Sequence, residues 1–165
     1  MELEVRRYRL DDVPAMQEAI VESLDHLRPW MPWVALESLT LPERTAMVRR
    51  WLDEGTENLV IVVDGIYAGG TGLHDRIGPS GREIGYWVRA SMIGRGIATE
   101  AARQLTERAL AVPGIEHVEI HHDKANLASR RVPEKLGYTL MREVDDEIRA
   151  PAQCGTSCEW RLTRD

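Results

Sequence analysis

The sequence predicts a mixed α/β (α+β) domain with a central, mostly antiparallel sheet of about seven strands and about four helices packed against it. Three observations predict it. Helix-patterned and strand-patterned segments follow one another in the order β-α-α-β-β-β-α-β-α-β-β, which suits one sheet covered by helices. Asp64-Gly65 joins two apolar, β-branched runs, a strong signal for a two-residue hairpin. A third alternating run then ends in a Gly-x-Gly turn that opens an Ala-rich helical pattern.

Taken in order, residues 3–10 (LEVRRYRL) alternate like a strand. Residues 11–27 follow as a helix, with Asp11 or Asp12 as N-cap and Pro14 in the first turn. Two prolines and two tryptophans in RPWMPW break it. A second helix, residues 41–55, has Pro42 early, apolar residues at helical spacing and Gly55 as its stop. NLVIVV (58–63) and IYAGGTGL (66–73) flank the hairpin turn, RIGPSG turns the chain again, and EIGYWVRA (83–90) is the third strand of a meander. A helix at about 95–111, a strand at 117–123, a short helix at 126–137 and closing strands at 138–144 and 158–163 complete the pattern.

At 165 residues the chain is expected to be one domain spanning 1–165. With 43% hydrophobic and 29% charged residues it is globular in composition, and its 21 basic against 27 acidic residues give a net charge of −6. That balance argues against nucleic-acid binding, which needs clustered cations. It leaves a small anionic ligand open, because a local cationic pocket can hold one. No run is long enough to span a membrane, the N-terminus has no apolar signal core, and a cytoplasmic setting is expected. Cys154 and Cys158 lack the companions of a zinc site or disulfide framework, so no metal is expected.

The Gly94-Arg95-Gly96 turn is the centre of interest. Glycines before a helix N-terminus admit positive φ, let a ligand approach without meeting a Cβ, and expose unpaired amides at the positive end of the helix dipole. This is a cradle for an anion, commonly phosphate, to which Arg95 adds a cation. A dinucleotide fingerprint would need glycine where Thr99 stands and would belong to a first βα unit. A Walker A loop would need a Gly-Lys-Ser/Thr ending. A tight connection that binds nothing is the plain alternative.

EIGYWVRASMIGRGIATEAA resembles motif A of the GNAT superfamily of acetyl-CoA-dependent N-acetyltransferases, in which Gln or Arg is followed by x-x-Gly-x-Gly/Ala. Here the pattern falls on Ile93 to Ala98, with Ile93 departing at the first position. NLASRRVPEKLGY is similar to motif B, and together with EIGYWV and LRPWMPW it resembles the RimJ/RimL branch, which acetylates protein N-termini and small amines. The resemblance covers about residues 2–163.

The resemblance implies a V-shaped splay between the strand ending near Arg89 and the strand at 117–123, with acetyl-CoA as cosubstrate lying in it. The diphosphate would sit on the amides of Gly94 to Thr99, and the pantetheine arm would pair with the backbone of Trp87 to Arg89. Val88, Arg89, Gly94, Arg95, Gly96, Ile97, Ala98, Thr99 and Asn126 are the expected cofactor contacts. The position where many superfamily members place a tyrosine acid is Pro133, which leaves Ser129 as the expected acid and frees its carbonyl. A backbone N–H near Val88 would face the developing oxyanion.

For the base, acting through water, Glu83 ranks first on the expectation that apolar neighbours raise its pKa. His74, His121 and Glu147 follow. Trp30 and Trp33 are expected at the lip of the acceptor site, and both histidines beside it. The implied activity is N-acyl transfer to a primary amine, either a protein or peptide N-terminus or a small molecule. A non-catalytic acyl-CoA sensor, a transferase of a longer acyl group such as succinyl, and a nucleotide-binding oxidoreductase are the alternatives. Monomer and homodimer both remain open.

Overall fold

A computed structural model gives the architecture; the structure describes residues 1–36 and 39–165, with the backbone alone for Ala35 and Leu36. Among the described residues there are seven strands and four α-helices, in the order expected. They are β1 (Leu3–Arg7), α1 (Val13–Leu27), α2 (Leu41–Glu54), β2 (Asn58–Val63), β3 (Ile66–His74), β4 (Gly81–Val88), α3 (Ile97–Leu110), β5 (His117–Asp123), α4 (Leu127–Lys135), β6 (Thr139–Asp145) and β7 (Thr156–Thr163).

The strands form one sheet in the order β1-β2-β3-β4-β5-β7-β6, antiparallel everywhere except between β4 and β5. The β2–β3 hairpin turns on Asp64 and Gly65, both at positive φ (50° and 79°), as a two-residue loop between right-twisted strands requires. Ala68 is an extra residue on β3, where the register against β2 slips between Ile61 and Val62.

Helices cover both faces. On one, α3 and α4 pack Ala101, Ala102, Leu105 and Val132 against Ile84, Val118, Ile120 and Trp160. On the other, α1 and α2 pack Met16, Ile20 and Val48 against Val60 and Tyr67. β2 feeds alternate side chains to both cores, Leu59, Ile61 and Val63 to the first and Val60 to the second, which is why the strand is apolar throughout from Leu59 to Val63. Fully burying each is worth roughly 1.5–3 kcal/mol.

Some boundaries differ from the sequence expectation. β1 stops at Arg7 because Asp12 takes the N–H of Arg9 (2.7 Å) and both guanidinium nitrogens of Arg6 (2.8 and 2.9 Å). That carboxylate pulls the chain into a 3-10 turn at Leu10–Asp12 before α1 begins. β4 starts at Gly81, two residues early, because Gly81 and Arg82 pair with His117 and Val118 of β5. α2 is fixed by Thr40 and Glu43 capping each other's amides and by Gly55 at φ 66°.

Candidate active site

The parallel β4–β5 ladder is only three residue pairs long, Gly81 to Glu83 against His117 to Glu119. Beyond Glu83 the two strands diverge, giving the expected splay. Arg89 donates its N–H to Ala68 on β3 (2.8 Å). Because backbone groups alternate sides along a strand, those of Tyr86 and Val88 face the gap toward β5.

The gap opens into a cavity of about 440 Å³ bounded by β4, the glycine turn and the starts of α3 and α4. Gly94 and Gly96 both hold left-handed backbone (φ 74° and 75°), and a Cβ built on either meets nothing within 4 Å. The glycines therefore meet a conformational demand and leave open space above the turn. Gly96 caps α3 without a side-chain bond, so the first amides of the helix keep their donors free for a ligand. Ile97, Ala98, Thr99, Val88, Asn126 and Ser129 line the same cavity, as does Trp30. No carboxylate lines it among the described residues, whereas Arg131 and Lys135 of α4 and His26 of α1 do. A cationic cleft on a chain of net charge −6 suits a polyanion bearing an apolar arm. The residues present fit coenzyme A: amides and cations for phosphates, a free strand edge for the pantetheine amides.

Arg131 and Lys135 escaped the sequence reading, although their spacing of four along a helix puts them on one face. They bring two cations to the α4 side of the cleft. Other expected contacts are placed elsewhere. Arg89 turns to α1, where its Nε lies 2.7 Å from Glu22 and an Nη lies 3.0 Å from Glu18. Arg95 reaches back toward Asp64 at 3.9 Å. Neither side chain lines the cavity, because each finds a carboxylate on the side away from it.

Asn126 caps α4 by accepting the N–H of Ser129 at 3.2 Å. Ser129 Oγ lies 2.9 Å from the phenol oxygen of Tyr86. The Ser129 carbonyl, left without its helical partner by Pro133, accepts from the same phenol at 3.2 Å. Tyr86 is the third residue the sequence reading missed. Its signal was its place in the alternation of β4, which directs Ile84, Tyr86 and Val88 to the α3–α4 side.

A second cavity, of about 470 Å³, lies on the α1–α2 side of the sheet and shares Met31, Tyr86 and Trp87 with the first. It is aromatic: Tyr8, Trp33, Trp51 and Trp87 line it, with Trp33 and Trp87 tilted at 5.7 Å between ring centroids. His74 lines it too, over a lane of glycines where an added Cβ at Gly72 would come within 2.7 Å of the ring. Burial, seconded by Arg76, holds His74 below the ordinary histidine pKa against the pull of Glu83. It is therefore a neutral base at neutral pH.

The other expected bases lie outside both cavities. Glu83 is gripped through both oxygens by Arg76 (2.6 and 3.0 Å), a partner the expectation of purely apolar neighbours overlooked. His121 sits between Glu119 (3.0 Å) and Glu83 (3.6 Å) on the open face of β5. Glu147 is exposed beyond β6, beside Arg149. Cys158 is buried in the α3–α4 core and Cys154 is exposed.

A sheet split beside a glycine cradle, with a cavity on each side of the split, defines an acyl-CoA transferase architecture. The family model for the acetyltransferase (GNAT) domain matches residues 2–139, and the chain belongs to that family of acetyl-CoA-using acetyltransferases. It is 27% identical over 140 residues to "Putative ribosomal N-acetyltransferase YdaF" of Bacillus subtilis (strain 168), covering 81% of this chain and 76% of that protein. Among solved structures it is similar to RimL, a ribosomal L7/L12 alpha-N-protein acetyltransferase in complex with coenzyme A. That match has a TM-score of 0.86 and 20% identity and covers 99% of this chain and 94% of that one. The microcin C7 self-immunity acetyltransferase MccE, in complex with acetyl-CoA and AMP, matches with TM-score 0.86 and 18% identity over 99% and 93%. At these identities the two structures speak for the fold.

Proposed function

We propose that this chain, acting as one domain, moves an acetyl group from acetyl-CoA in the α3–α4 cleft to a primary amine entering through the aromatic cavity. The observation that carries this reading is the meeting of the two cavities at Tyr86 and Trp87, where β4 has parted from β5. The amides of Ile97 to Thr99, with Arg131 and Lys135, hold the phosphates. The backbone of Tyr86 and Val88 positions the pantetheine arm, and the Val88 N–H faces the carbonyl oxygen as charge develops on it. Direct attack in a ternary complex follows, because the cavities adjoin from opposite faces.

His74 takes the first proton, from the ammonium form of the acceptor, and releases it to solvent. Ser129 supplies a proton to the departing sulfur. The aromatic lining favours an acceptor whose amine sits beside an apolar or aromatic group. The ribosomal naming of the Bacillus relative favours a protein N-terminus and hence a cytoplasmic setting.

Calorimetry with coenzyme A, followed by mass detection of acylated products from a panel of N-terminal peptides and small amines, tests the reading. Acetyl-CoA and succinyl-CoA would be supplied in parallel. Coenzyme binding with acetylation of apolar or aromatic N-terminal peptides is the expected result. Binding without turnover on any acceptor would leave a sensor instead, and no binding would end the proposal.

A further inference from the structure

Tyr86 stands in the wall between the two cavities and lines both. On the donor side its phenol oxygen lies 2.9 Å from Ser129 Oγ and 3.2 Å from the Ser129 carbonyl. The carbonyl holds the phenol beside the serine only because Pro133 brings no N–H to that turn of α4. The acceptor cavity is lined by Tyr86 together with its strand neighbours Thr71, Gly85 and Trp87. Burial pushes the phenol up to about 12, with Ser129 pulling it down and Tyr138 adding to the rise. The hydroxyl thus stays protonated, and a donor, across the neutral range.

We infer that Tyr86 is a catalytic residue that carries a proton from the acceptor nitrogen to Ser129, which passes its own to the departing sulfur. This rests on the donor and acceptor assignment made above. As the N–C bond forms and the C–S bond breaks, Tyr86 Oη receives the proton that the nitrogen sheds. Its former hydrogen turns from the Ser129 carbonyl to Ser129 Oγ and moves onto it, and the former serine hydrogen ends on sulfur. Both residues finish in their starting protonation states, and no outside acid is consumed. A phenol from β4 thereby performs the task that Pro133 denies to α4.

The test compares the wild type with Tyr86→Phe, Ser129→Ala and the double variant. Each single change should lower kcat by about a hundredfold, the bottom of the range for positioned acids and bases, with coenzyme affinity unchanged. The double variant should be no slower than the slower single one, because the two act in series. A multi-proton solvent isotope effect on kcat in the wild type should reduce to a single-proton one in Tyr86→Phe.

A readout without turnover is the ultraviolet titration of the thiol in bound coenzyme A. Removing either hydroxyl should cut its thiolate fraction at fixed pH by about the same factor, on the order of tenfold for one pKa unit. If Tyr86→Phe melts early, fluorotyrosine at position 86 keeps the shape and should displace the pH dependence of kcat. Wild-type kcat and thiol titration in Tyr86→Phe, or losses that multiply in the double variant, overturn the relay. If coenzyme A fails to bind the wild type, the donor assignment itself falls. If Ser129→Ala is slow while Tyr86→Phe is not, only the relay does.

Discussion

Trp160 donates its indole N–H to Nε2 of His122 across 2.9 Å, while Nδ1 of the same ring lies 2.8 Å from the Asp123 carbonyl. Only the neutral Nδ1–H tautomer satisfies both contacts, since a protonated ring would set one donor against another. Burial holds His122 below the ordinary histidine pKa; Arg130 works in the same direction, and Asp123 and Glu134 oppose it. Above about pH 6.5 both folded and unfolded rings are neutral and stability is flat. Below it, the unfolded ring gains a proton that the folded ring refuses, so stability falls until the folded pKa is passed. Urea midpoints should therefore drop as the pH falls below about 6.5, and His122→Gln should flatten part of that slope. An unchanged slope would mean that other groups govern it, foremost His74, the other histidine whose pKa is held down.

The cradle is tested by separating backbone cost from ligand space. Gly96 and Gly114 share positive φ (75° and 89°) and open surroundings, but only Gly96 faces the donor cleft. Valine at either should cost roughly 1–2 kcal/mol or more, because a β-branched residue resists left-handed backbone. Only Gly96→Val should also abolish coenzyme A binding. Equal coenzyme affinity in the two variants would detach the turn from the ligand.

How far the sequence revealed this site depends on what each part rests on. The Asp64-Gly65 hairpin, the glycine turn and the free Ser129 carbonyl follow from covalent geometry, and all three are present in the structure. Arg89 and Glu83 could not be judged that way. Their partners, Glu22 from 67 residues away and Arg76 across a turn, are chosen by tertiary packing. Tyr86 was hidden for a related reason: its meaning comes from a proline 47 positions later on another element.

Arg131 and Lys135 give a prediction about charge. Both line the donor cleft from exposed positions, where ion pairing with phosphate is screened by salt. Replacing both with Ala should weaken coenzyme A binding by about tenfold near 0.1 M salt and flatten its salt dependence. The double Ala variant should bind a phosphate-free pantetheine thioester as the wild type does. If it lost affinity for that compound as well, the two side chains would be shaping the cleft and not its charge.

The base is the last point the geometry commits to. Among Glu83, His74, His121 and Glu147, only His74 lines the acceptor cavity. Because its pKa is held below the ordinary value, the base form persists to lower pH than a free imidazole would allow. The acid limb of kcat/KM should accordingly fall below about pH 6.5. His74→Gln should lose that limb and lower kcat by about a hundredfold, leaving coenzyme affinity intact. Gly72→Ala supplies an independent check: its methyl would sit 2.7 Å from the imidazole, so the ring must move. A displaced imidazole should slow turnover while still titrating, whereas an acid limb that survives His74→Gln would return the role to water and the backbone.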